Sequence, residues 1–217
     1  MSNRPVGTPV PVVNIANVLT MLRLVLVPFF LAALFVDHGQ TSSWRVVAFV
    51  VFAVASFTDR FDGEIARRRG LVTDFGKIAD PIADKALTGA ALVSLSLLAE
   101  LSWWVTAVIA VREVGVTLLR FWVIRHGVIP ASRGGKAKTF VQAIAIGFYV
   151  LPLPAVVDPL AQAVMALAVL FTIVTGVDYV VRALRLRRAG MRAQQAALLS
   201  QPTVVGGPGG GDGAAGN

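Results

Sequence analysis

Apolar runs recur along most of the chain, each near the roughly 20 residues that a helix needs to cross a bilayer core. They predict six membrane-spanning helices, at Val18–Val36, Val46–Thr58, Ile82–Leu98, Trp103–Ile124, Phe140–Leu153 and Ala161–Val181. The second run is short, so its helix is expected to continue past Thr58 into the cytoplasm. The pattern implies an all-α, polytopic membrane domain over residues 14–190, after a cytoplasmic segment 1–13 and before a cytoplasmic tail 191–217. Within the tail, Gln201–Asn217 is rich in glycine with little to pack, and is expected to be disordered.

Composition sharpens this reading. Hydrophobic residues fill 56% of the 217 positions and charged residues 15%, and the mean hydropathy is +0.73. Too few polar side chains remain to cover a soluble domain of this size. Cysteine is absent, which excludes disulfides, thiolate metal sites and cysteine nucleophiles. His38 and His126 alone are too few for a histidine metal cluster. The first apolar stretch is too long for a cleaved signal peptide, lacks a convincing basic leader and is followed by five more.

The net charge of +8 is unevenly placed. With the N-terminus inside, the inner loops 59–81 and 125–139 and the tail from Arg182 hold fourteen Lys and Arg. The outer loops (37–45, a turn near Glu100, and 154–160) hold one, Arg45. That asymmetry orients both termini to the cytoplasm. The basic charge is therefore mainly a topology signal with a secondary attraction to anionic membrane lipids. Nucleic acid is not an expected partner. Trp103 and Trp104, at the outer end of the fourth span, read as an interfacial aromatic belt.

The acids carry the chemistry. Of twelve Asp and Glu, six fall between Asp59 and Asp84. Asp59 and Asp62 are three apart and Asp80 and Asp84 four apart, so each pair shares a helix face. The first pair continues the second span, the second opens the third, and the linker between them is short. The two acidic faces are therefore expected to meet. Four carboxylates at one membrane interface repel strongly unless cations compensate, and the hard ions Mg²⁺ and Mn²⁺ prefer oxygen ligands. Four acids suit two ions better than one.

Gly63, Ala66 and Gly76 leave bare backbone beside these acids, where a bulky group can approach closely. Arg67 adds a cation of phosphate-matching geometry. Together they describe a diphosphate site. The plain alternative is a solvated face on which the acids pair with Arg60, Arg68, Arg69, Lys77 or Lys85. Four acids, two glycines and an arginine in register weigh against it. Glu64 and Asp74, outside that register, are read as surface charges. Pro81 either opens a helix after an Asp80 cap or kinks one already running, and the sequence leaves both open.

Asp59-x-x-Asp62-Gly63-x-x-Ala66-Arg67, eight further residues, then Gly76-x-x-x-Asp80-x-x-x-Asp84 resembles the full signature of the CDP-alcohol phosphotransferase family. The resemblance implies a six-helix membrane enzyme, usually a homodimer, that transfers a phosphatidyl group from CDP-diacylglycerol to an alcohol and releases CMP. It implies two Mg²⁺ or Mn²⁺ ions held by Asp59, Asp62, Asp80 and Asp84, with Asp84 also the general base. Gly63, Ala66, Arg67, Thr73 and Gly76 are then the expected contacts to CDP-diacylglycerol. A looser similarity to phosphatidylglycerophosphate synthases covers Asn14 to Arg23, Ala83-Asp84-Lys85, Arg112-Glu113 with Arg120, and Gly135-Lys136-Ala137-Lys138-Thr139 with Gln142. It implies sn-glycerol 3-phosphate as acceptor, and a multi-pass enzyme of the cytoplasmic membrane whose active site faces the cytoplasm. Asn17 and Thr20 join the CDP-diacylglycerol contacts in that reading, or are helix-start residues.

An acceptor bearing phosphate needs cations of its own. Arg112 and Arg120, eight apart on roughly one face of span four, and Lys136 from the next cytoplasmic loop are the candidates. Arg112 also fits a pair with Glu113, while Arg23, Arg120 and Lys138 fit side chains that snorkel to the interface. Inositol phosphate and phosphatidylglycerol are the rival acceptors. A cation transporter would also place acids in a membrane, but near its midplane, where Glu113 alone stands here.

Overall fold

The computed structural model describes the backbone of residues 15–69, 74–123 and 133–199. It describes side chains over the same ranges except 15–16, 59–78, 80–81, 84, 120–123, 133–136 and 192–199. Among the described residues the chain is all-helical: α1 (Ile15–Phe35), α2 (Ser42–Arg69), α3 (Asp74–Leu97), α4 (Trp103–Val123), α5 (Arg133–Val150) and α6 (Asp158–Leu199).

Each predicted span centres on one of these helices, but four helices outrun their apolar stretch. As expected, α2 continues beyond Thr58, to Arg69; α3 starts at Asp74, well ahead of Ile82; α5 starts at Arg133, ahead of Phe140; and α6 runs on past Val181 to Leu199. Backbone hydrogen bonding extends a helix into polar sequence wherever no cap or proline stops it. All four extensions lie at the end of the bundle that carries the acidic motif. Because α3 begins at Asp74, Pro81 lies inside it, so of the two readings left open Pro81 falls within a helix already running and does not open one. Helix α6 also carries the chain across residue 191, where the tail was expected to begin; Gln201–Asn217 lies outside the described residues.

The opposite end is closed by tight connections. After α1 the chain reverses through Asp37 and His38, both at φ 51, and Gly39 at φ 76. A Cβ on Gly39 would stand 3.0 Å from Leu98 Cδ1 and 3.4 Å from Leu34 O, so backbone conformation and crowding both call for glycine. Helix α3 is followed by a turn at Ala99, φ 60, where Glu100 N–H and Leu101 N–H donate to Leu95 O at 3.0 and 3.1 Å. Arg45, near the start of α2, reaches across these connections. Its Nε donates to Val150 O at 3.0 Å, an Nη donates to Tyr149 O, and the guanidinium pairs with both oxygens of Glu100. The loops expected outside, 37–45 and the turn near Glu100, therefore meet at one end with the end of α5 that leads into the third, 154–160. Pro152 and Pro154 follow α5 there and prevent its continuation.

Helix α1 packs on α2 and α3, α4 and α5 both pack on α6, and α2 lies against α5. The core between them includes Phe30 and Leu34, Phe52, Leu92 and Leu95, Ile109, Ile146 and Met165. Phe30 and Phe52 meet with ring centroids 5.9 Å apart. Alanines 33, 48, 55, 91, 145 and 168 are buried beside them and let helices approach closely.

Polarity is arranged inside out. Phe29, Phe57, Val111 and Leu118 are each more than 60% exposed, whereas Asn17, Thr20, Arg23, Lys138 and Gln142 are buried. An outer surface of this kind needs an apolar solvent around it. Among the described residues two stretches, Asn17–Gly39 and Ala155–Met191, are long and apolar enough to cross a membrane, with mean hydropathies of 2.4 and 2.2. Shorter apolar stretches, Ser42–Thr58, Lys85–Leu97 and Ala137–Val150, lie within α2, α3 and α5.

Candidate active site

The two halves of the acidic motif fall on two consecutive helices. Asp59, Asp62, Gly63, Ala66 and Arg67 stand on the last turns of α2; Gly76, Asp80 and Asp84 stand on the first turns of α3. Both pairs therefore keep the helical spacing that puts each on one face. Helices α2 and α3 pack on each other, and residues 70–73 separate their ends, so both halves sit at the same end of the bundle. The side chains of these eight residues lie outside the described residues, as do those of Arg120 on α4 and Lys136 on α5; Thr73 lies outside altogether.

A cavity of about 540 Å³ begins beside the motif. Phe57, two residues before Asp59, and Lys85, next to Asp84, both line it. Its near end is polar, with Arg23 from α1, Lys85 from α3, Glu113 from α4, and Lys138 and Gln142 from α5. Its depth is apolar, walled by Phe49 and Phe52, Leu92, Ile109, Phe148 and Leu151. Gly89 also lines it, and a Cβ there would meet nothing within 4 Å. The shape suits an amphipathic ligand with an anionic head and an apolar body.

The polar end is held by a network. Glu113 Oε1 accepts hydrogen bonds from Lys138 Nζ and from Arg112 Nη1, the latter at 3.1 Å. The Glu113 main-chain oxygen accepts from Lys85 Nζ at 3.3 Å and from Thr117 Oγ1 at 2.8 Å, and Lys85 also bonds Thr117 Oγ1. Arg112 Nη2 donates to Thr175 Oγ1 of α6 at 3.1 Å. Gly176 makes room for the arginine stem, since a Cβ there would stand 3.2 Å from Arg112 Cγ. Desolvated cations are costly without such partners.

The residues expected at the site divide on this geometry. Arg112 does pair with Glu113; its guanidinium is held between α4 and α6 and does not line the cavity. Arg23 and Lys138 are each 1% exposed, so neither snorkels. Asn17 and Thr20 lie within α1, both buried, and with Arg23 follow a three-residue spacing that puts them on one face. Trp103 and Trp104 open α4 and are exposed, as a belt requires. Lys85, Lys138 and Gln142 stand out in sequence as site residues through a family similarity, and the cavity makes them prominent. One further signal lies in the pattern itself, because Lys138 and Gln142 are four apart and so share a helix face.

The family model of CDP-alcohol phosphatidyltransferase matches residues 13–174. The chain is 60% identical over 174 residues to a protein of Mycobacterium tuberculosis named probable phosphatidylglycerophosphate synthase, an alignment covering 80% of this chain and 83% of the relative. It is 36% identical to the CDP-diacylglycerol–glycerol-3-phosphate 3-phosphatidyltransferase of Bacillus subtilis, covering 76% of this chain and 93% of that protein. It is 34% identical, with the same two coverages, to the protein of that name from Rickettsia felis.

Proposed function

The chain belongs to the CDP-alcohol phosphatidyltransferase family, a membrane-associated group of biosynthetic enzymes, and on that premise we propose that it transfers the phosphatidyl group of CDP-diacylglycerol to sn-glycerol 3-phosphate. The products are phosphatidylglycerophosphate and CMP. The observation that carries this reading is the cavity beside both halves of the motif, cationic at its near end and apolar in its depth. Two relatives bear names that state this donor and this acceptor.

The donor set fits divalent ions. Asp59 and Asp62 on α2 and Asp80 and Asp84 on α3 supply only carboxylate oxygens, the ligands that Mg²⁺ and Mn²⁺ take. The contribution of two such ions, when bound, is to neutralise the diphosphate and make the phosphorus under attack more electrophilic. Arg67, with Gly63, Ala66, Thr73 and Gly76, binds and orients the CDP moiety, and Asn17 and Thr20 approach it from α1. The acyl region of the lipid extends into the apolar depth of the cavity. Arg112, Arg120 and Lys136 bind the acceptor phosphate, joined by Lys138. Asp84 takes the proton of the acceptor hydroxyl, whose oxygen forms a bond to the phosphorus bearing diacylglycerol. The phosphoanhydride bond on the far side breaks, and CMP leaves with the electron pair.

In this reading the six helices cross the cytoplasmic membrane, both termini are cytoplasmic, and the active site faces the cytoplasm, where a lipid and a soluble substrate can meet. The clasp of Arg45 supports that topology by gathering three alternate connections at one end. A homodimer in the membrane completes the proposal. The test is CMP release by the purified protein in detergent, given CDP-diacylglycerol, Mg²⁺ or Mn²⁺, and one of three acceptors. Release with glycerol 3-phosphate alone is expected. Release only with inositol phosphate or phosphatidylglycerol would overturn the acceptor, and no release from folded protein would overturn the reading.

A further inference from the structure

Glu113 is the one acid among the described residues that line the cavity, at an end otherwise built to attract an anion. On charge alone it is in the wrong place. Its bonds give it a different task. One carboxylate oxygen holds Lys138 of α5 and Arg112 of α4, and the main-chain oxygen of the same residue holds Lys85 of α3. Without its carboxylate, Lys138 and Arg112 would be like charges held close together with little solvent between them, and would turn away from each other. Lys138 is 1% exposed and has little water to compensate it.

We propose that Glu113 is a positioning residue for acceptor binding: by pairing with Lys138 and Arg112 it holds the cations of α4 and α5 in the arrangement that receives the acceptor's phosphate. This rests on the proposed transfer to a phosphate-bearing alcohol. Two effects of removing the carboxylate oppose each other, and their signs differ. Deleting a negative charge makes the pocket more positive and favours an anion. Losing the tether lets Lys138 and Arg112 leave their places and disfavours it. The positioning role requires the second effect to win.

The experiment uses the full chain in detergent with CDP-diacylglycerol, comparing wild type, Glu113→Gln, Glu113→Asp, Lys138→Met and the Glu113→Gln/Lys138→Met double variant, each checked for its melting temperature. Glu113→Gln should raise the KM for glycerol 3-phosphate at least about tenfold while leaving the KM for CDP-diacylglycerol unchanged. Glu113→Asp keeps the charge and shortens the reach, so it should raise the same KM; it carries the test if Glu113→Gln fails to fold. The double variant should lose less than the two single losses combined, because part of the Glu113→Gln loss acts through Lys138. An unchanged or lower KM for glycerol 3-phosphate in folded Glu113→Gln overturns the proposal. So does a loss spread equally over both KM values and the melting temperature. If wild type uses a different phosphate-bearing acceptor, the glycerol phosphate reading fails, and the same comparison with that acceptor decides Glu113. If wild type uses no acceptor, both fall.

Discussion

Arg45 offers a direct test of how the end of the bundle remote from the motif is held. Its side chain is 12% exposed and that of its partner Glu100 is 29% exposed. Replacing it with methionine keeps the aliphatic stem but removes the paired charge. Glu100 then loses both guanidinium bonds, and the carbonyls of Tyr149 and Val150 at the end of α5 lose their donor. Breaking a buried pair by removing one partner costs about 3–5 kcal/mol, and partial exposure of Glu100 brings this to about 2–3 kcal/mol. For a chain of this size that lowers the melting temperature by about 4–12 °C. Thermal unfolding in mild detergent, followed by tryptophan fluorescence, reads the change locally, since Trp44, Trp103 and Trp104 lie within four residues of Arg45 or Glu100. Adding Glu100→Gln to Arg45→Met should recover part of the loss, because no uncompensated charge is left. CMP release well below the transition should be unchanged, since Arg45 and Asp59 stand about 21 Å apart along α2. A wild-type melting curve for Arg45→Met, or a double variant less stable than the single, would refute the clasp.

Four other outcomes are expected. Asp84→Asn should lower CMP release by about 10²–10⁴-fold in a protein that still inserts and folds; normal turnover would remove Asp84 as the base. EDTA should abolish release and added Mg²⁺ or Mn²⁺ restore it, whereas full turnover in chelator would exclude the ions. A Cβ at Gly89 would meet nothing within 4 Å, so Gly89→Leu, which narrows the cavity there, should raise the KM for long-chain CDP-diacylglycerol by about tenfold and spare a short-chain analogue. An equal effect on both would separate the cavity from the acyl chains. Ala99→Gly relieves a left-handed alanine at φ 60 and should stabilise by about 1 kcal/mol; no rise in melting temperature would mean the turn carries no strain.

The helices were legible because a series of apolar runs of span length, in a chain so poor in charge, has few places to go but a bilayer. The motif was legible because spacings of three and four are helix geometry. Helix ends were harder to read. Apolar content stops at Thr58 and Val181 while hydrogen bonding carries α2 and α6 onward, and Gly134, Gly135 and Pro81 lie inside helices although each would suggest a break. What stops a helix here is specific to its neighbours: Gly39 under Leu98, or the turn at Ala99, after which Glu100 and Leu101 N–H donate to Leu95 O. The charge network illustrates the deeper limit. Sequence adjacency paired Arg112 with Glu113 but was silent on Lys138, which is 25 residues away and reaches the same carboxylate only because α4 and α5 come together at the cavity. Hydropathy marks Arg23, Lys85 and Lys138 as costly in a membrane without saying where each is compensated. A span-interior charge is therefore a question addressed to the packing. Here the packing brings Lys85, Arg112 and Lys138 to a single residue, Glu113, which no pattern within α4 distinguishes from an ordinary partner of its neighbour.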